Sequence, residues 1–377
     1  MKKEHIDFRP YEFYLIDNKK YWCKALDLIK LEPKIGIDIE ANNDGELQEI
    51  CLIQLSIRGF DFIIDPLANF DFDELGEILQ SKEFLKIFHG SDYDLRLLWN
   101  QYNWKVNNLF DTMWAGKILG EKQVGLVNAL DRLLNVTHDK KYQCSNWRKR
   151  PLTKKQLEYA SRDSHYLIPL QERLEELLTE KNILDEAKEY FEELSLEAIL
   201  TSENDLFSDF TLFQNLPKHN YLVFKKLCKL REEIANSKGL YPTQIIPNKC
   251  LFQISTELPI TEQQLEKIKD IKKSIKHIPK REILEVVEKS ITSPDIDTPN
   301  NQKDISNIKK RIKNLTELRK MLSKKSNIES ELIMTKNKIF LLAFYAPKNI
   351  EDLKKLNFFG PIRLTKYGSY IIDTLTK

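Results

Sequence analysis

Short β-branched runs crowd into the first quarter of the chain and then all but stop. Ile35 to Ile39, Ile50 to Leu55, Phe60 to Ile64 and Leu85 to Phe88 read as strands, with Arg58 and Gly59 turning between the second and third. Between and after them the spacing turns helical: Phe72, Leu75, Ile78 and Leu79, then Leu95, Leu97 and Leu98, then Leu126, Ala129, Leu130 and Leu133. One long amphipathic helix is expected over Lys154 to Leu178, kinked at Pro169. Three antiparallel strands followed by alternating helix and strand predict a mixed-sheet α/β domain.

Beyond it the charge changes sign. Residues 217–377 carry 32 Lys+Arg against 18 Asp+Glu, and residues 171–216 carry 3 against 13. A basic C-terminal half behind an acidic connector suits a module that binds a polyanion, although solvated lysine-rich helix faces give the same count. That half also repeats itself. Asn248 to Ile268 lines up with Asn337 to Leu356 at an offset of about 88 residues, and a polar linker, Ser293 to Gln302, lies between the copies. The expected division is 1–210 for the sheet domain, with its acidic helical connector from about 171, then 217–292 and 303–377 for two small helical domains.

The five cysteines are scattered and never spaced C-x-x-C, so neither a disulfide framework nor a structural zinc is expected. No secretory leader is read at the start, and the longest apolar run, Ile339 to Ala346, is far below the roughly 20 residues that span a bilayer. A cytoplasmic protein with no membrane association and no obligate protein partner is expected.

The chemistry is sought where the apolar pattern fails to explain a residue. Asp38 and Glu40 stand two apart on an apolar strand and so point to one face. Two buried carboxylates side by side call for a positive neighbour, and a hard divalent cation is the economical one. Asp94 follows a strand and His89-Gly90, in the first turn of a helix, where a carboxylate also favours the helix terminus. Tyr159 and Asp163, at i and i+4, stack on one helix face, where Tyr159 could equally be a core aromatic.

In this order, D-x-E, a second Asp after a strand and Y-x-x-x-D on a helix resemble the three exonuclease motifs of the DEDD superfamily, tyrosine branch. Ile50 to Leu55, Ile64 to Leu67, Phe88 to Gly90, Phe110 to Thr112 and Trp147 to Leu152 extend the likeness over about residues 5–210, to the ribonuclease D family. The C-terminal copies resemble the helical HRDC domain, although the first lacks the glycine turn that Gly360 supplies in the second. The resemblance implies a ribonuclease H-like exonuclease domain followed by two small all-α HRDC-like domains. It also implies two divalent cations, Mg²⁺ or Mn²⁺, held by Asp38, Glu40, Asp94 and Asp163. Tyr159 would orient the attacking water, and 5′-mononucleotides would leave from a 3′ end. The implied substrate is RNA with a free 3′ end, tRNA precursors and other small structured RNAs among it. A DNA exonuclease of the Werner type and a non-catalytic RNA-binding scaffold are the alternatives. His89 is read as scaffold rather than catalyst.

Substrate contact is expected from a basic stretch with aromatics in it, namely Lys141, Trp147, Arg148, Lys149 and Arg150. After Glu40 the chain runs Ala41 to Gly45 without an aromatic residue, so end-stacking there is not expected.

Overall fold

The structure is a computed structural model. It describes residues 12–42, 49–137, 142, 145–203, 218–238, 245–246, 248–268, 271, 275, 278–292, 301–326 and 328–376. Lys141, the loop after Asn42, most of the Ser293–Gln302 linker and the turn of the first helical copy lie outside them. Two compact units emerge: residues 1–42, 48–202 and 314–377 form one, and residues 43–47 with 203–313 form the other.

The first unit is built on six strands: β1 (Phe13–Ile16), β2 (Lys34–Asn42), β3 (Glu49–Ile57), β4 (Phe60–Ile64), β5 (Leu85–Phe88) and β6 (Leu109–Asp111). Their order is β1-β4-β3-β2-β5-β6. β2, β3 and β4 pair antiparallel, while β1 joins β4, and β5 joins β2 and β6, in parallel. The sheet is mixed, as the strand pattern predicts. β1 and β6 are not among the strands that the sequence pattern predicts. Their four and three residues carry too little pattern alone and become strands only by pairing with β4 and β5.

Eight helices follow in chain order: α1 (Lys19–Ile29), α2 (Glu74–Gln80), α3 (Asp92–Tyr102), α4 (Thr112–Leu119), α5 (Leu126–Leu134), α6 (Lys154–His165), α7 (Leu167–Glu180) and α8 (Leu184–Glu203). The single long helix expected from Lys154 is two, broken at Tyr166. Pro169 explains the break, because its ring clashes with the carbonyl four residues back, which belongs to His165. The acidic connector is no loose tether over its described part. Leu170, Leu174 and Leu178 of α7, and Ala187, Tyr190, Phe191 and Leu194 of α8, are buried in the same apolar core as Ile37, Leu55 and Phe88.

The helical repeat recurs in matching contacts. In the second unit, α9 (Lys218–Lys238), α10 (Asn248–Glu257), α11 (Glu262–Lys267) and α12 (Lys280–Ile291) enclose Val223, Leu227, Leu251, Leu265 and Val287. The later copy has α13 (Asn301–Ser326), α14 (Ser330–Ile333), α15 (Lys336–Tyr345), α16 (Ile350–Lys355) and α17 (Pro361–Thr376). Buried Arg231 bonds the Ile246 carbonyl at 3.3 Å, and buried Arg319 bonds the Met334 carbonyl at 3.2 Å, 88 residues on. Thr261 and Asn349 cap α11 and α16 at the same offset.

Candidate active site

β2 carries Asp38 and Glu40 toward the carboxyl ends of the parallel strands β2, β5 and β6, the edge at which open α/β sheets collect ligands. α6 lies across this sheet and is held very close. A methyl on Gly36 would stand 2.7 Å from the Ser164 carbonyl, so only glycine lets the helix in. The Ser56 hydroxyl donates to Asp61 at 2.6 Å and meets the Ser164 hydroxyl at 2.7 Å, and His165 Nδ1 meets the other Asp61 oxygen at 2.7 Å. These directional contacts set the rotation of α6, and with it the aim of Tyr159 and Asp163.

As a result, one carboxylate oxygen each of Asp38, Glu40 and Asp163 lie within 4.8 Å of one another. Asp94 stands outside that triad but close enough for its charge to act on Asp38 and Glu40. Burial, then repulsion from Asp163 and Asp94, pushes Glu40 up to about 9. Burial and the other three carboxylates drive Asp38 well above its ordinary range, and burial with Asp111 and Asp92 does the same to Asp94. Among the described residues no lysine or arginine forms a salt bridge with Asp38, Glu40 or Asp94. An all-oxygen donor set with strong mutual repulsion fits hard divalent cations. Burial first, then Asp163 and Glu40, hold the Tyr159 phenol far above its ordinary value, and its hydroxyl is hydrogen-bonded to Asp163. It is a donor here and no base.

Asp94 is aimed by a residue that the sequence reading quotes without a role. Asp111 caps α4 through the Met113 and Trp114 amides, and its two oxygens also accept from Gly90 at 3.0 Å and Ser91 at 2.6 Å. That clamps the turn leading into α3. His89 Nδ1 meets Thr112 Oγ1 at 2.9 Å, which agrees with a scaffold role.

Two of the expected RNA contacts are corrected. Trp147 is 3% exposed and packs in a cluster with Leu52, Ile63 and Ala160, its ring stacked 6.1 Å from that of Tyr159, so no base can stack on it. Arg150 spends all five of its N–H donors within the protein. Two bonds of 2.6 Å go to Asp65, and the others go to the carbonyls of Cys51, Trp147 and Lys149. The Asp65–Arg150 pair pins the segment that walls in Tyr159. Arg148 is exposed and pairs with Glu49 at 3.2 Å, and Lys149 is exposed.

The carboxylates of Asp38 and Glu40 on β2 and Asp163 on α6 thus gather at one edge of the sheet, with Asp94 on α3 near enough for its charge to act on them. Residues 15–179 match the family model for a 3′-5′ exonuclease, and residues 222–287 and 308–375 each match that for the HRDC domain. The chain thus carries a stretch similar to a 3′-5′ exonuclease domain followed by two stretches similar to the HRDC domain. The exosome complex component 10 homolog of Caenorhabditis elegans is 34% identical over 253 residues, 65% of this chain and 29% of that protein. The exosome complex exonuclease RRP6 of Saccharomyces cerevisiae is 28% identical over 65% of this chain and 36% of its own length. The chain therefore spans about a third of the length of these relatives. In fold it is similar to the Escherichia coli RNase D crystal structure, with a TM-score of 0.75 and 20% identity over 97% of this chain and 99% of that one.

Proposed function

We propose that the protein is a 3′→5′ exoribonuclease that releases 5′-mononucleotides by two-metal hydrolysis. Its substrates are structured small RNAs with a free 3′ end, tRNA precursors among them. The observation that carries this reading is the convergence of Asp38, Glu40 and Asp163, with the Tyr159 hydroxyl beside them. Asp38, Glu40, Asp94 and Asp163 would hold Mg²⁺ or Mn²⁺. Bound there, such cations activate water, neutralise the phosphate and support the leaving oxygen.

The chain's own part is to orient and exclude. Tyr159, fully protonated near neutrality, spends its one O–H on Asp163 and accepts a hydrogen bond from the attacking water, which fixes the water's direction and leaves its lone pair facing phosphorus. The wall formed by Trp147, Tyr142 and Leu152 keeps one side of Tyr159 dry and its ring immobile. RNA as the substrate is supported by the likeness in fold to the Escherichia coli protein, an exoribonuclease involved in structured RNA processing. Exposed Arg148 and Lys149 remain as backbone contacts. Among the described residues Cys23 and Cys51 are free thiols, in keeping with a reducing compartment such as the cytoplasm. Among them, too, no helix is long and apolar enough to cross a membrane.

The test is a nuclease assay on a 3′-extended tRNA with Mg²⁺, Mn²⁺ or chelator, beside a DNA oligomer of the same sequence. Mononucleotides released from RNA only with metal are expected. Preferential digestion of the DNA, or cleavage that survives chelation, refutes the reading.

A further inference from the structure

Gln54 is a polar side chain in the apolar run of β3, and it is 0% exposed. In the sheet register it stands opposite Asp38 on β2 and Ile63 on β4. Residues opposite one another in antiparallel strands share a face, with Cβ atoms about 5 Å apart, well within the reach of a glutamine. Gln54 therefore faces the side of the sheet that α6 covers, beside the Asp38 carboxylate. Neither its Oε1 nor its Nε2 has a hydrogen-bond partner among the described residues. Its polar neighbour along the strand, Ser56, is already engaged with Asp61 and Ser164. A leucine or methionine would fill this place without burying two polar atoms.

The geometry points to Gln54 as a positioning residue for the carboxylate cluster, its amide donating to the Asp38 carboxylate when that group serves as a cation ligand. The inference rests on the proposed metal-dependent function. A ligating carboxylate in a buried site directs one oxygen at the cation, and its remaining lone pairs need donors to hold its orientation. Glutamine suits that task. It offers two N–H donors, it is long enough to cross to the neighbouring strand, and it carries no charge to compete with the cation as lysine would.

The test uses the full chain with Mn²⁺ as the probe, in direct binding titrations and in thermal unfolding with chelator. Gln54→Leu, with Gln54→Met as the second variant should leucine fail to fold, is expected to weaken Mn²⁺ binding by about 10–100-fold. The unfolding midpoint in chelator should stay level or rise, because two buried polar atoms are gone. Mn²⁺ affinity equal to that of the wild type in either folded variant overturns the assignment, as does a loss no larger than the unfolded fraction explains. Asp163→Asn serves as the control. If it too binds Mn²⁺ like the wild type, the reading of the site as a metal centre falls; if it loses Mn²⁺ while the Gln54 variants keep it, only the positioning role falls.

Discussion

Removing the carboxylate of Glu193 should unfasten the C-terminal helices from the exonuclease domain at a large cost. Glu193 lies on α8 and is almost wholly buried. It accepts from Lys338 Nζ at 2.6 Å, Arg363 Nε at 2.9 Å and the Gly360 amide at 3.0 Å. One turn earlier, Glu189 caps the start of α17 through the amides of Ile362 and Arg363. Glu193→Leu leaves buried Arg363 without its carboxylate and buried Lys338 with only Glu197 at 4.0 Å, and breaking a buried pair this way costs about 3–5 kcal/mol. At about 2–4 °C per kcal/mol for a unit of this size, the melting midpoint should fall by roughly 6–20 °C. Adding Lys338→Met and Arg363→Leu should restore most of that loss, since a matched apolar cluster replaces the ions. The pH dependence has a fixed sign. Burial pushes the Glu193 carboxyl up, but Lys338 and Arg363 overcome it and hold the group below its usual range. Its contribution is therefore present above the unfolded value near 4.5 and lost as pH falls through the folded one. Differential scanning calorimetry from about pH 2 to 8 measures both effects, since the loss falls below 4.5. A midpoint change under about 2 °C at pH 7, or a gap between variant and wild type that widens on acidification, would refute this account.

Asp163→Asn should abolish metal-dependent cleavage while far-ultraviolet dichroism and RNA retention on filters stay as in the wild type; retained turnover removes the carboxylate from the mechanism. Tyr159→Phe should slow single-turnover hydrolysis by about 10–100-fold at unchanged RNA affinity, and a matching affinity loss would contradict the orienting role. Gly36→Ala should cost about 1–3 kcal/mol in urea unfolding and weaken Mn²⁺ binding, because α6 must lift from the sheet; a neutral result would mean that the close approach is dispensable. Arg150→Met leaves Asp65 buried without its partner, and chemical denaturation should show a loss of about 3 kcal/mol or more.

The D-x-E pair, the i, i+4 spacing of Tyr159 and Asp163 and the 88-residue repeat are all local patterns, and local pattern is what a single chain displays openly. β2, β3, β4 and the two helical copies are legible for the same reason: alternation and helical spacing are properties of neighbours in sequence. Pairing is not. β1 and β6 exist only because β4 and β5 lie beside them. The basic stretch shows the cost of reading composition without contacts. Trp147 and Arg150 look like nucleic-acid ligands in sequence, yet Asp65, distant along the chain, captures the guanidinium, and the core takes the indole. Asp111 and Gln54 fall inside stretches that extend the family likeness, but nothing local gives either a role, because their meaning lies in the turn and the strand set opposite them. The sequence alone thus determined which carboxylates offer themselves to hard cations and where β2 to β5 and the helical copies run. Tertiary structure decided which polar groups meet, because a carboxylate's partner depends on where separate elements pack, and packing is a property of the whole chain.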